Sequence, residues 1–297
     1  MNAPPDEIRR TLAEWLESRL TPPASDWLAE RRRLVGEGDS KALFLGIGLI
    51  GRKLPKDDLA LSRDELRRAA EVRPGWDPTR WSVDQAARLL LLFEAPLRDE
   101  AAWTGALDAL FAAADVGEQI ALYQGLPLYP FPEAHRFRAT DGLRTNIKGV
   151  FEAIAHRNPY MAEQASDDSW NQMVLKTLFI GSTLRPIVGL DQRANPALAQ
   201  MLIDYAHERW AAGRAVTPEL WRCVGSFLSH GHAAEMERIL SSADVNERTA
   251  GALALSAAPS DVLSPTREKF AAELNRVSMA GLEWDSLALE PIAPAKS

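Results

Sequence analysis

The sequence is nearly without cysteine: Cys223 stands alone among 297 residues. No intramolecular disulfide can form and no cysteine-based metal cluster exists. That usage fits a reducing compartment, so a cytoplasmic location is expected. No segment alternates β-branched and aromatic residues with period two, which excludes a sheet as the main element. Long apolar runs are missing as well. The longest, ALFLGIGLI from Ala42 to Ile50, falls far short of the roughly 20 residues that span a bilayer, so no transmembrane segment is expected. The opening MNAPPDEIRR lacks a basic stretch followed by an apolar one and does not read as a secretory signal.

A basic excess is also absent. The chain carries 34 Lys and Arg against 41 Asp and Glu, a formal net charge of −7, which argues against a general nucleic-acid surface. One local exception is the segment 135–157, where Arg136, Arg138, Arg144, Lys148 and Arg157 face only Asp141 and Glu152. The five histidines include no H-x-x-x-H pair, and His230-Gly-His232 has only Glu235 nearby. No metal is expected from that set, and nothing calls for a cofactor. There is no P-loop, no G-x-G-x-x-G after a strand and no G-x-S-x-G elbow.

What the chain does have is helical periodicity throughout. Residues 5–20 place Ile8, Leu12, Trp15, Leu16 and Arg19 at amphipathic spacing, and further helices are expected near 26–37, 40–52, 62–72, 82–94 and 100–114. The fold class is therefore all-α. GlyIleGlyLeuIleGly at 46–51 has the small-residue spacing of close helix packing. Two segments share Ala-Asp-Val-x-Glu: one begins at Ala106, the other at Ala234. Each reads as helix, short break, helix, with Asp115–Glu118 and Asp244–Glu247 at capping-box spacing. Recurring hairpins of this kind predict stacked helical hairpins in a HEAT-like α-solenoid array. Asn158-Pro159, Asn195-Pro196 and Thr217-Pro218 read as further helix starts, with the polar residue as cap and Pro at the first helical position. Two loops stand out. Residues 72–78 with Trp81 form an aromatic connector, and LeuProLeuTyrProPhePro at 126–132 should run extended and polyproline-like. No Gly/Ser linker divides the chain, so one domain over 1–297 is expected, with a loose tail from about Leu282.

Candidate chemistry gathers between Leu143 and Val224, where polar side chains sit among apolar ones and must be hydrogen-bonded. On a helix near 141–157, Leu143, Ile147, Val150, Phe151 and Ile154 form the buried stripe. Arg144 and Lys148, four apart, would clasp an anion or lie as a solvated face. On the helix Trp170–Gly181, Asn171 points inward, while Lys176 is either a buried amine with a depressed pKa or a snorkelling one. On Pro196–Ala212, His207 stands between Ile203 and Trp210 as an acid–base group or a hydrogen-bonded core histidine. Asp191, Arg193 and Arg209 complete the candidate ligand-binding set with Arg144, Asn171, Lys176, His207 and Trp210.

Several blocks in this stretch resemble the EboA family of metabolite-traffic proteins: RTNI at 144–147, FEAIA at 151–155, NPY at 158–160, WNQMVLK at 170–176, DQRAN at 191–195 and HERWAAGRAVTPELWR at 207–222. The likeness implies a soluble protein encoded beside a membrane prenyltransferase-like protein and several enzyme-like proteins. The likeness further implies an association of that set with moving a prenylated or aromatic precursor from cytoplasm toward periplasm. The family supplies no catalytic residues to carry over. Three functions are thus open. The first is a non-enzymatic accessory protein holding an apolar, aromatic or prenylated molecule in a helical groove, with Arg144, Lys176 or Arg193 meeting a phosphate or phenol. The second is a scaffold for the operon-encoded proteins, docking through the groove or through Tyr129 and Phe131. The third is an enzyme in which Lys176, His207 and Asp191 converge.

Overall fold

The computed structural model describes residues 4–288. Among them there is no strand, only one isolated antiparallel bridge between Asp58 and Ser82. The all-α expectation is met. The chain gathers into two compact units that meet in sequence between Ala165 and Ser166. No described helix is long and apolar enough to cross a membrane.

The first unit is built from α1 (Pro5–Glu17), α2 (Pro22–Gly36), α3 (Ser40–Lys53), α4 (Arg63–Val72), α5 (Val83–Glu94), α6 (Glu100–Ala113), α7 (Val116–Gln124), α8 (Arg136–Gly142), α9 (Lys148–Ala155) and α10 (Tyr160–Gln164). In α1, Ile8, Leu12, Trp15 and Leu16 are buried, as their spacing predicts. Helix α5 is the hub. Ten of its twelve residues are buried, and α1, α2, α3 and α7 all pack on it. A helix buried on nearly every side has no stable place except the centre. The glycines of α3 allow the close approach: a Cβ on Gly46 would lie 2.8 Å from Leu91 Cδ1.

One ion pair sits inside this hub. Arg88 and Asp84, one helical turn apart, are 3% and 8% exposed and directly bonded. Ser82 Oγ donates to Asp84 Oδ1 at 2.5 Å. Arg88 Nε finds no partner among the described residues, so the pair is incompletely satisfied.

The aromatic connector is pinned as expected. Trp76 lies 5.1 Å from Trp15 and 5.8 Å from Trp81, and all three are buried. The proline-rich loop departs from expectation. It is not extended but folds into 3-10 turns at Leu126–Leu128 and Pro132–His135, with the prolines in first turns where no N–H is needed. Tyr129 is fully buried, its hydroxyl donating to Leu122 O at 2.8 Å. It is therefore no docking residue. Phe131 remains 37% exposed.

The expected helix near 141–157 is broken. α8 ends at Gly142 and α9 begins at Lys148. Between them Arg144 N–H bonds Asp141 O, Thr145 N–H bonds Gly142 O, and Thr145 Oγ1 accepts from Ile147 N at 3.1 Å. A side-chain turn of this kind competes with helical bonding. Ile147 consequently leaves the buried stripe and is 44% exposed.

The second unit contains α11 (Asp167–Phe179), α12 (Pro196–Ala211), α13 (Ala233–Leu240), α14 (Val245–Ala257), α15 (Ser264–Lys269) and α16 (Ala271–Met279). Helix α14 is its hub, touching α13, α16 and 3-10 turns at Pro218–Cys223 and Gly225–Phe227. Gly225 permits one of these contacts, because a Cβ there would stand 2.8 Å from Ala254 O. The two Ala-Asp-Val-x-Glu turns both start helices. Asp115 and Glu118 make the full reciprocal box, whereas Asp244 accepts from Asn246 N–H instead. The tail expected to be loose from about 282 is described only as far as 288. Leu287 is buried and its carbonyl accepts from Arg185 Nη2 at 2.6 Å. Its remainder lies outside the described residues.

Removing one member of the buried α5 pair strands a charge in the interior. Asp84→Ala or Arg88→Ala should each lower unfolding free energy by about 3–5 kcal/mol in urea titration. The double change Asp84→Ala with Arg88→Met should cost less than either single one. A double mutant worse than both singles would show that the pair stabilises on balance.

Candidate functional site

Helices α11 and α12 pack together and carry most of the residues that the sequence singles out. Asn171, on α11, is 3% exposed, the inward position expected of it. Its amide exchanges two hydrogen bonds with Asn195, at 2.8 and 3.2 Å. The Asn195 oxygen also accepts from Leu198 N–H at 2.9 Å, so Asn195 caps α12 as its Asn-Pro step predicts. Asn171 thereby positions a helix start. Asn158 works similarly but with more partners. Its amide donates to Tyr123 O and Ala153 O, each at 3.0 Å, and its oxygen accepts from Tyr160 N–H. The cap position of α10 falls to Pro159. Thr217 precedes a 3-10 turn and makes no side-chain cap bond, contrary to expectation.

The remaining candidates separate. Arg144 is exposed in the 143–147 turn, in the first unit, so no Arg144–Lys148 clasp forms on a continuous helix. Lys148 lies 3.8 Å from Glu152. Asp191 is exposed and clamps Arg222 through both oxygens, at 2.6 and 2.7 Å. Arg193 pairs with Asp167 at 2.6 Å and lies over buried Trp170 at 5.0 Å. His207 has the Trp210 ring 5.9 Å away but is not a core residue: its side chain is 51% exposed and bonds Glu235 at 2.8 Å. The reason is that α12 buries one side, through Leu198, Leu202, Ile203, Tyr205 and Ala206, and His207 falls off it. Trp210 is engaged by two neighbours. Trp221 stacks at 5.9 Å and 20°, and the Arg238 guanidinium lies 4.4 Å from its centroid. The space left beside these groups is about 20 Å³, room for a single water.

What α11 and α12 do bring together is an aromatic face with cations around it. Phe179, the last residue of α11, is 58% exposed. It meets Tyr205 edge-on at 4.9 Å. Arg209, one turn along α12, lies 6.0 Å from the Tyr205 ring, and its guanidinium is held by Ala215 O at 2.9 and 3.0 Å. Burial pushes the Tyr205 hydroxyl up, while Arg209 and Arg214 pull it down. Both arginines therefore act on the same ring. Lys176 precedes Phe179 by three residues, which makes them surface neighbours on a helix. Its amine is held below the usual lysine range by desolvation. Phe179 and Arg214 were missed by the sequence reading. An exposed aromatic at a helix end carries no signal of exposure in a single sequence, and Arg214 looks like any loop cation.

The neighbouring long loop is set by Glu219, another residue missed from sequence. It is 4% exposed and accepts Leu184 N–H at 2.6 Å and Arg185 N–H at 3.2 Å. Burial raises its carboxyl pKa against the pull of those two donors. Glu219→Ala leaves both donors without an acceptor and should cost about 3 kcal/mol or more. Glu219→Gln, which keeps one acceptor, should cost less. Equal stability of both variants and wild type in denaturant would remove this role.

No curated protein and no solved structure matches the chain. The family model described as metabolite traffic protein EboA matches residues 8–225, which takes in α11, α12 and the aromatic face between them. The chain belongs to the EboA family.

Proposed function

We propose that this chain serves metabolite traffic as a non-enzymatic accessory protein, holding an aromatic, prenylated precursor that bears an anionic group. The observation that carries this is the Phe179–Tyr205 face with Lys176, Arg209 and Arg214 about it. An exposed ring offers a surface for a planar ligand. The cations suit a carboxylate, phosphate or phenolate attached to it, and Arg209 is already oriented by its bonds to Ala215 O. Lys176 and Arg209 come from the set selected by sequence. Asn171, Asp191, Arg193, His207 and Trp210 serve this reading as supports rather than as ligand contacts, and Arg144, in the first unit, has no part in it. A binding role also accords with His207 and Asp191, which are paired to different groups, Glu235 and Arg222.

In the same reading the chain is one EboA-like domain, since the family match continues from the first compact unit into the second, as far as residue 225. The α6–α7 and α13–α14 hairpins are its HEAT-like repeats, and it works in the cytoplasm. A second reading, a scaffold for operon-encoded proteins including a membrane prenyltransferase-like protein, is favoured by Phe137. That residue is 77% exposed between Arg136 and Arg138.

Calorimetry with 3-geranyl-4-hydroxybenzoate as probe separates the two. Saturable binding is expected, weakened about tenfold by Phe179→Ala or by Arg209→Ala, equivalent to ~1.4 kcal/mol each. Absence of saturable binding, or unchanged affinity in both variants, would sink the carrier. Phe137→Ser should leave this binding intact. Loss of partner co-purification in Phe137→Ser, with no ligand bound by the wild type, would move the function to the scaffold.

A further inference from the structure

A larger cavity lies in the first unit, away from every residue chosen from sequence. Helices α1 and α4 enclose a cleft of about 430 Å³, within the ~300–1,000 Å³ range of small-molecule sites. Its floor is Thr11, Trp15 and Val72. Trp15 is 2% exposed and is backed by Trp76 at 5.1 Å, so the floor is rigid. Each wall repeats one pattern: Glu7, Arg10 and Glu14 on α1, then Glu65, Arg68 and Glu71 on α4.

The charges in the walls are unequal in standing. Glu65 is committed. Arg19 bonds both its oxygens at 3.0 Å and holds its carboxyl down to about 2, and it also caps Ser62 N–H. Glu7 reaches Arg10 only at 3.7 Å, and Glu71 reaches Arg67 only at 3.7 Å. Glu14 and Arg68 stand out. Among the described residues neither side chain has a hydrogen bond or an ion pair. They sit on opposite walls with opposite charge, yet do not close on each other. A ligand bridging them must carry both signs, with an apolar part for the tryptophan floor.

We infer that the α1–α4 cleft binds a small zwitterion of the aromatic amino-acid class. Its ammonium meets Glu14, its carboxylate meets Arg68, and its ring rests over Trp15 and Val72. A simple amine would pair with Glu14 alone, and a simple acid with Arg68 alone. This site is independent of the α11–α12 face.

Isothermal titration of the full chain with L-phenylalanine, phenethylamine and 3-phenylpropionate tests it. The zwitterion should bind saturably, at least tenfold more tightly than either singly charged analogue. Glu14→Gln should abolish its advantage over phenylpropionate, and Arg68→Gln its advantage over phenethylamine. Both side chains are exposed, so circular dichroism should stay unchanged in both variants. Phe179→Ala should leave this binding untouched, which keeps the outcome separate from that of the carrier reading. No saturable binding of L-phenylalanine, equal binding of phenethylamine, or unchanged affinity in both cleft variants would overturn the assignment.

Discussion

A buried backbone N–H or carbonyl without a partner costs about as much free energy as several good packing contacts earn, and that constraint organises both units. Short helices joined by irregular turns leave many such groups at their ends. The chain satisfies them with a few long polar side chains. Arg73, 4% exposed, donates to Pro127 O and Pro74 O and so holds the proline-rich loop against the connector before Trp76. Asn158 takes the carbonyls ending α7 and α9. Glu219 takes two N–H groups of the loop after α11. Each of these residues is polar, buried and unavailable for chemistry.

This explains why polarity among apolar neighbours was a poor guide to a binding site. The reasoning that such a side chain must be hydrogen-bonded was sound for Asn171 and Asn158, and for Asn195 half-buried beside its cap. Their partners turned out to be helix ends. Cations and aromatics at the surface are under no such obligation. Phe179 is exposed although nothing in its local sequence requires it, and it lies beside Lys176, whose amine is already partly desolvated. Function is better sought where the structure leaves a group less satisfied than it need be.

Helix existence was legible because burial imposes a period. The α1 stripe, the all-apolar face of α5 and the Gly spacing of α3 each follow from one side chain per 100° meeting a core. The Asp115 box and the Asn195 cap were legible for a local reason, since capping needs residues only three apart. What was not legible depended on partners distant in sequence. Arg144 and Lys148 keep helical spacing, but the Thr145 turn intervenes between them. His207 has a neighbour 28 residues away in Glu235. Tyr129 looked like a docking residue in a proline-rich loop, and it is buried among Phe93, Trp103 and His135, with Leu122 O accepting from its hydroxyl.

The two surfaces that remain differ in the electrostatic work they can do. At the α11–α12 face the groups acting on Tyr205 are cationic, in a chain whose net charge is −7. Long-range attraction to an anionic ligand is therefore weak, and affinity must come from contact at the ring and from the fixed Arg209 fork. Across the α1–α4 cleft both signs are present, so a zwitterion gains from both walls while its own net charge is zero. At either surface a bound molecule would gain from ring contact and from paired charge, the two terms that set how firmly it is held.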